Sequence, residues 1–178
     1  MSRGVKLCKI AVGGGCHWCT EAVFLALKGV ERVEQGWISS SGVDESFSEG
    51  VIIHYFPEKI SLKGLIQIHV ETHASQSDHS MRKTYRSAVY YFDEFQKEEI
   101  QQVLEQLQNG TDRPLITRVL PYRDFKPSHD EIVNYYFKNP AKPFCRTYID
   151  PKMRYILDGF PDLVDQVKLG HLTTNHEV

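Results

Sequence analysis

The first half of the chain alternates between two hydrophobic periods, and the order of these periods restricts the fold more than any other feature. Apolar side chains at every second position predict strands, and apolar side chains three or four positions apart predict helices. This order is strand, helix, strand, strand, helix, strand, at residues 6–12, 16–27, 30–38, 47–55, 62–72 and 85–92. It is the order of a ferredoxin-like split βαβ unit.

The second half predicts a helix over 93–107, a short strand over 116–120 and a helix over 128–137. From about residue 139 the chain becomes rich in proline and lysine, which predicts an irregular C-terminal arm. We therefore expect an α+β fold, a two-layer sandwich with a ferredoxin-like split βαβ core and that arm. A length of 178 residues is typical of one domain, so we expect 1–178 to form a single unit.

The charge balance excludes some classes of partner. The chain has 21 Lys and Arg against 23 Asp and Glu, a net charge of −2, which does not favour a basic nucleic-acid binder. No apolar run approaches the ~20 residues of a membrane helix. The first residues lack the apolar stretch of a signal peptide. We expect a cytoplasmic monomer that binds neither nucleic acid nor membranes.

The cysteines carry most of the functional information. The chain has four, at Cys8, Cys16, Cys19 and Cys145. In a cytoplasmic protein such thiols indicate metal or redox chemistry rather than a disulfide framework. Cys16 follows three glycines, at 13–15, where the first predicted strand gives way to a helix. The N–H groups and partial positive charge of a helix N-terminus favour a thiolate, so we expect a lowered pKa for Cys16.

Other interpretations of these residues are weaker. A glycine run before a helix also suits a phosphate group, but the dinucleotide and P-loop fingerprints are absent. Cys16, His17 and Cys19 resemble half of a zinc site, but no second pair of ligands lies near Cys145 in the sequence. Cys8 has the position of a small apolar residue in a strand. We expect no metal and no cofactor.

The segment Gly-Gly-Cys-His-Trp-Cys-Thr-Glu at 14–21 resembles the Gly-Cys-Phe-Trp signature of the A-type peptide methionine sulfoxide reductases. Further segments resemble that family in the same order: the helix at 61–73, Tyr-Arg-Ser-Ala at 85–88, and the Asn-Pro and Pro-Phe-Cys residues of 139–145. The resemblance runs from about residue 6 to residue 152. It implies an oxidoreductase that returns the S-epimer of methionine sulfoxide, free or in proteins, to methionine.

The resemblance also implies roles for individual residues. Cys16 is the nucleophile that becomes a sulfenic acid, and Glu49 protonates the leaving oxygen. Tyr85 donates a hydrogen bond to that oxygen, and Trp18 packs against the methyl group of the substrate. Cys145 resolves the sulfenic acid to an intramolecular disulfide, which thioredoxin or a similar dithiol reduces.

The sequence departs from the family pattern at three places near this site. His17 stands where the family has phenylalanine, and it either raises the thiolate fraction of Cys16 or weakens binding of the methyl group. The loop between the second and third predicted strands is short, which leaves the family's second active-site tyrosine without a counterpart. Asp78 aligns with a family aspartate that contributes to substrate binding, although Ser80 aligns equally well.

Cys19 leaves a further alternative open. Three residues after Cys16 on one helix turn, its sulfur faces the same side and competes with Cys145 as the resolving thiol. We favour Cys145 because the resemblance supports it. Cys16 and Cys19 together also suit a thiol–disulfide redox protein or sensor on the same scaffold. A third interpretation, suggested by the short loops, is a module that binds oxidised methionine without turnover.

Overall fold

The strands form one sheet. In the computed structural model, which describes residues 4–74 and 80–173, the order across this sheet is β5-β4-β1-β3-β2-β6. The strands are β1 (Cys8–Gly13), β2 (Val30–Ser39), β3 (Ser48–Tyr55), β4 (Ala88–Tyr91), β5 (Arg118–Pro121) and β6 (Asp124–Pro127).

Six α-helices connect or follow these strands among the described residues. They are α1 (His17–Leu25), α2 (Leu62–Thr72), α3 (Glu94–Asn109), α4 (Tyr135–Lys138), α5 (Asp150–Gly159) and α6 (Gly170–Thr173). Two of them begin at the polar residues expected for a helix start. Ser61 Oγ accepts a hydrogen bond from the Gly64 N–H at 3.0 Å, and Asp93 Oδ1 accepts one from the Gln96 N–H at 2.7 Å.

The predicted fold class is confirmed. The four central strands have the order β4-β1-β3-β2, and all three neighbouring pairs are antiparallel, as a split βαβ unit requires. β5 then extends one edge in parallel with β4, and β6 extends the other edge antiparallel to β2. Because strand side chains alternate between faces, the sheet buries residues on both sides.

The larger core lies on the helical face of the sheet. Ile10 and Val12 of β1 pack there with Ile53 of β3 and with apolar residues of α1, α2, α3 and α5. The opposite face carries a smaller cluster that includes Ile38, Tyr90 and Leu120. The sheet and its helices thus form the two layers, and the C-terminal part of the chain completes the helical layer.

Two element boundaries differ from the sequence prediction. The strand expected over 85–92 is only Ala88–Tyr91, because residues 84–86 bond instead to the turn before them and to Ser48. The helix expected over 128–137 was wrong for most of its length. Asn134 has φ 56°, in the left-handed region, and α4 begins only after it. The strand β6 was not predicted.

The C-terminal arm packs closely against the helical layer. It contains a π-helical turn, Cys145–Ile149, followed directly by α5. Ile149, Met153 and Ile156 of this region are fully buried. None of the helices in the described part of the chain is long and apolar enough to cross a membrane.

Candidate active site

Cys16 lies at the junction between β1 and α1. Its backbone carbonyl accepts hydrogen bonds from the N–H groups of Cys19 and Thr20, both at 3.1 Å, and so begins the helix. Its side chain makes no capping hydrogen bond, although it occupies the N-cap position. The residue is half-buried.

The Cys16 thiol has its pKa lowered to about 7. The largest cause is a hydrogen bond from the Cys19 thiol, and the backbone N–H groups of Trp18 and Cys19 add to it. Burial and the negative charge of Glu49 act in the opposite direction. The lowered pKa that the sequence predicts is confirmed, but a neighbouring thiol contributes more than the helix N-terminus.

Glu49 enters the site near the start of β3. It pairs with Trp37 of β2 across the sheet, and its side chain is 13% exposed. β1 approaches β3 closely at this point, because a side chain at Gly13 would lie 2.8 Å from the Glu49 carbonyl oxygen. The glycine therefore allows the nucleophile and the carboxyl group to share one edge of the sheet.

Tyr85 reaches Glu49 from the segment that precedes β4. Hydrogen bonds fix that segment to the start of β3: the Thr84 carbonyl accepts from the Glu49 N–H at 3.0 Å and from Ser48 Oγ at 2.9 Å. The negative charge of Glu49 is the largest cause of a raised pKa for Tyr85, with further contributions from burial, the charge of Cys16 and a hydrogen bond to the Glu49 carboxyl group. Cys16, Glu49 and Tyr85 thus lie within interaction distance of one another.

Trp18 belongs to an aromatic wall beside Cys16. Its ring stacks on Tyr135 with centroids 4.2 Å apart, and Phe144 meets it edge-on at 5.3 Å. Burial is the largest cause of a raised pKa for Tyr135, and the negative charges of Cys145 and Cys16 add to it, which places this wall near the nucleophile. Sequence reasoning identified Trp18 but not Tyr135 or Phe144, which contact Trp18 of α1.

Cys145 and Cys19 are both placed near the nucleophile. All four cysteines lie among the described residues and are free thiols. Cys145 is fully buried, and its thiol donates to the Asn139 carbonyl at 3.6 Å. The pKa of Cys19 is raised, first by its hydrogen bond to Cys16 and last by the charge of Cys145. Both thiols that the sequence named as possible partners of Cys16 therefore lie in the same region.

His17 directs both ring nitrogens at defined partners. Its Nδ1 lies 2.9 Å from the Gly36 carbonyl oxygen, and its Nε2 lies 3.1 Å from Glu49 Oε1. The ring is buried and meets Trp37 edge-on, with centroids 5.1 Å apart. The imidazole is thus not turned toward the Cys16 sulfur. Asp78, the remaining predicted site residue, lies outside the described residues.

Two histidines that sequence reasoning did not use contact the glycine run. His69 Nε2–H donates to the Gly13 carbonyl at 2.9 Å, and the stacked ring of His73 lies directly against Gly14. Arg82 donates to the carbonyls of Gly14 and Tyr85, at 2.8 and 2.9 Å. The spacing of His69 and His73, four residues apart on one predicted helix face, was the available signal for this support.

A small cavity of about 50 Å³ adjoins the nucleophile on its inner side, between Cys16, Cys19, His69 and Lys152. This volume holds water but no methionine side chain. In the part of the chain that the structure describes, no three His, Cys, Asp or Glu side chains are grouped to hold a metal ion.

A model of the family described as peptide methionine sulfoxide reductase matches residues 8–160. The chain belongs to this family. A peptide methionine sulfoxide reductase MsrA of Chromobacterium violaceum is 36% identical over 173 residues, which cover 88% of this chain and 98% of that protein. The similarity therefore includes the glycine run, the strands of the site and the C-terminal arm.

Two solved structures of Mxr1 share the fold. The crystal structure of Mxr1 from Saccharomyces cerevisiae in reduced form has a TM-score of 0.70 at 20% identity, covering 83% of this chain and 94% of that one. The crystal structure of Mxr1 in complex with Trx2 has a TM-score of 0.58 at 19% identity, covering 76% and 88%.

Proposed function

We propose that this chain is an oxidoreductase that reduces the S-epimer of methionine sulfoxide, free or in proteins, to methionine. One observation carries the proposal. A thiol with a pKa of about 7 lies at a helix N-terminus, beside a carboxyl group and a phenol that interact with each other. A nucleophile, a proton donor and a hydrogen-bond donor for oxygen are the groups that reduction of a sulfoxide requires. The S-epimer preference follows from membership of the family.

The first chemical step balances with these groups alone. The Cys16 thiolate attacks the sulfoxide sulfur, and Glu49 gives its proton to the oxygen. The oxygen transfers from the substrate to Cys16, so that the substrate sulfur is reduced by two electrons and the Cys16 sulfur is oxidised by two. The products are a thioether, a sulfenic acid on Cys16 and a Glu49 carboxylate.

The aromatic wall supports a defined orientation for the substrate. We propose that the methyl group packs on Trp18, as the family resemblance implies. The sulfoxide oxygen is then directed toward Glu49 and Tyr85, the polar groups that interact with Cys16. A thioether would fill the apolar space without an oxygen to protonate, so turnover depends on the polar side of the site.

We propose Cys145 as the resolving cysteine. Its thiol attacks the sulfenic sulfur, a disulfide forms, and water leaves. A thioredoxin-type dithiol then reduces that disulfide, and the solved complex of Mxr1 with Trx2 supports this class of partner. Because Cys145 is fully buried, its attack requires that the arm around 139–145 move toward Cys16. The four free thiols are consistent with a reducing compartment, and the cytoplasmic location stays a prediction.

The test is a turnover assay on the S- and R-epimers of methionine sulfoxide with dithiothreitol. We expect reduction of the S-epimer alone, and its loss in Cys16→Ser. Cys8→Ser is the matched control, because Cys8 lies at the far end of β1 from Cys16. Binding of either epimer without turnover in the wild-type protein would overturn the proposal and favour the binding module.

A second candidate function rests on the hydrogen bond between Cys16 and Cys19. A dithiol whose first sulfur has a lowered pKa and whose partner lies one turn away suits thiol–disulfide exchange. Mass mapping after mild oxidation separates the two functions. A Cys16–Cys19 disulfide that forms equally in wild type and in Cys145→Ser supports the redox protein. A Cys16–Cys145 disulfide that persists in Cys19→Ser supports the reductase with Cys145 as resolver.

A further inference from the structure

Nε2 of His17 and the carboxyl group of Glu49 face each other at hydrogen-bond distance. This contact requires a proton on one of the two groups at the facing atoms. We propose that His17 and Glu49 hold one exchangeable proton in common, and that His17 is a positioning residue that keeps this proton available for the sulfoxide oxygen. The inference rests on the proposed function, in which Glu49 is the acid, and it assigns a role to the side chain that replaces the family's phenylalanine.

The hydrogen bonds of the imidazole determine the proton count. A carbonyl oxygen only accepts hydrogen bonds, so the 2.9 Å contact with Gly36 requires a proton on Nδ1 of His17. The Nε2 atom, 3.1 Å from Glu49 Oε1, then needs one more proton to make a hydrogen bond. Either Glu49 is a carboxylic acid that donates to neutral His17, or the His17 imidazolium donates to a carboxylate. In both states the pair holds one proton and has no net charge.

Burial makes the empty pair unfavourable. The side chains of His17 and Glu49 are 5% and 13% exposed, so little water reaches the space between them. Loss of the shared proton would leave a lone pair of Nε2 facing a carboxylate oxygen at hydrogen-bond distance, where the two repel each other. The edge of the Trp37 ring packs against His17 and holds the imidazole in this orientation.

Few other ionisable groups face the pair in the described part of the chain. Cys16 precedes His17 at the start of α1, and its thiolate favours a proton on the pair. Tyr85 approaches from the segment before β4 and hydrogen-bonds to the Glu49 carboxyl group. β2 contributes the Gly36 carbonyl and the Trp37 ring, neither of which titrates.

Two further ionisable groups lie nearby. Glu21, one turn further along α1, is buried, its burial raises its pKa, and its carboxyl oxygens have no hydrogen-bond partner among the described residues. Lys126 of β6 has its ammonium group over the Phe47 ring, at 4.1 Å from the centroid. The ionisable groups that interact directly with Glu49 of the pair are therefore Cys16 and Tyr85.

The proton balance of the first step is then explicit. The pair donates its one proton through Glu49 to the oxygen that moves from the substrate sulfur to Cys16. The pair is left as neutral His17 and a Glu49 carboxylate, which is its unfavourable state, and it recovers a proton from solvent before the next turnover.

The pH profile of the reduction step tests the proposal. Single-turnover reduction of methionine sulfoxide is measured for the wild type, His17→Phe and His17→Gln. Phenylalanine keeps the volume of the ring, and glutamine keeps a hydrogen bond but takes up no proton. Because each variant removes the imidazole nitrogen that shares the proton with Glu49, we expect the alkaline limb of the pH profile to move to lower pH in both variants.

A matched control comes from a second His–Glu pair in the same sheet. His54 Nε2 lies 2.7 Å from Glu34 Oε2, on the pair of strands that carries Glu49 and Gly36 but five residues from Glu49 along β3. His54→Gln removes this pair and leaves the site intact. Its alkaline limb should coincide with that of the wild type. An unchanged limb in both His17 variants would overturn the inference while leaving the proposed function in place.

Nitrogen-15 NMR of the imidazoles provides a readout that does not depend on turnover. We expect the His17 signals, assigned by their absence in His17→Gln, to show a protonated Nδ1, and their titration to shift in Glu49→Gln. If wild-type protein lacks turnover but the His17 titration responds to Glu49→Gln, the proposed function fails and the shared proton stands. A His17 titration that ignores Glu49→Gln overturns the shared proton.

Discussion

The Cys19 thiol donates a hydrogen bond to the Cys16 sulfur, and this bond is the largest cause of the lowered pKa of Cys16. Cys19 therefore affects the nucleophile before any disulfide forms. Its own pKa is raised by the same bond, so Cys19 stays a thiol while Cys16 ionises. Activation of the nucleophile and resolution of the sulfenic acid are separate roles. Separate replacement of Cys19 and Cys145 distinguishes them.

Replacement of Cys19 should reduce the thiolate fraction of Cys16. Without the donated hydrogen bond the pKa of Cys16 rises from about 7 toward the ordinary thiol value of 9.0. We expect alkylation of Cys16 by iodoacetamide at pH 7 to slow about tenfold in Cys19→Ala. Cys19→Ser keeps a donor and should lie between Cys19→Ala and the wild type. Equal rates in all three proteins would contradict this role of Cys19.

The stability of the fold should depend on pH through His73. Burial is the largest cause that lowers the pKa of His73 from 6.5 to about 4. The unfolded chain thus takes up a proton near pH 6.5, whereas the folded protein takes it up only near pH 4. The stabilisation is present above pH 6.5 and is lost as the pH falls to about 4. Over that range we expect the free energy of unfolding to decrease by about 3 kcal/mol.

Urea unfolding at a series of pH values measures this effect. His73→Gln removes the titrating group and should flatten the dependence between pH 6.5 and pH 4. His129→Gln is the control, since His129 is exposed and its replacement should leave the slope unchanged. A wild-type slope that survives in His73→Gln would assign the dependence to other groups, of which the fully buried His69 is the first to examine.

The central fold was predictable because its information is local. Each of the four central strands carries its own period-two pattern, and the glycines at 13–15 mark the end of the first strand without reference to the rest of the chain. β6 was missed because its four residues, Asp-Phe-Lys-Pro, have no extended alternation and end in proline. It forms because β2 offers it a partner, which a local pattern does not reveal.

The sequence named candidate site residues but not the contacts between them. Cys16, Glu49 and Tyr85 were named through motifs, and these motifs contain no information on which side chains touch. His17 and Glu49 are 32 residues apart, and their contact arises only when β1, β2 and β3 bring the start of α1 to the start of β3. The sequence therefore left the effect of His17 open, whereas the geometry of its two nitrogens defines a partner for each.

A side chain at Gly36 should disrupt both the sheet and the site. A Cβ there would collide with the Lys126 carbonyl and the Phe125 ring of β6, and the Gly36 carbonyl accepts the hydrogen bond of His17. We expect Gly36→Ala to lower the free energy of unfolding by about 2 kcal/mol or more, as is typical of overpacking. Gly159→Ala is the control because open space surrounds that position. Equal melting temperatures for the two variants would contradict the close approach of β6.

Tyr85 should contribute to the chemical step more than to substrate binding. Its hydroxyl group interacts with Glu49 and is placed to donate to the oxygen that develops negative charge. Removal of one such donor costs on the order of 100-fold in kcat. We expect Tyr85→Phe to lower kcat by about that factor with little change in KM, since the ring itself remains. Tyr155→Phe is the matched control, because the Tyr155 hydroxyl also bonds to a carboxylate, Glu71 at 2.8 Å, but on the surface of α5. An effect on KM alone would place Tyr85 in substrate binding, and equal kcat values for the two variants would remove it from the reaction.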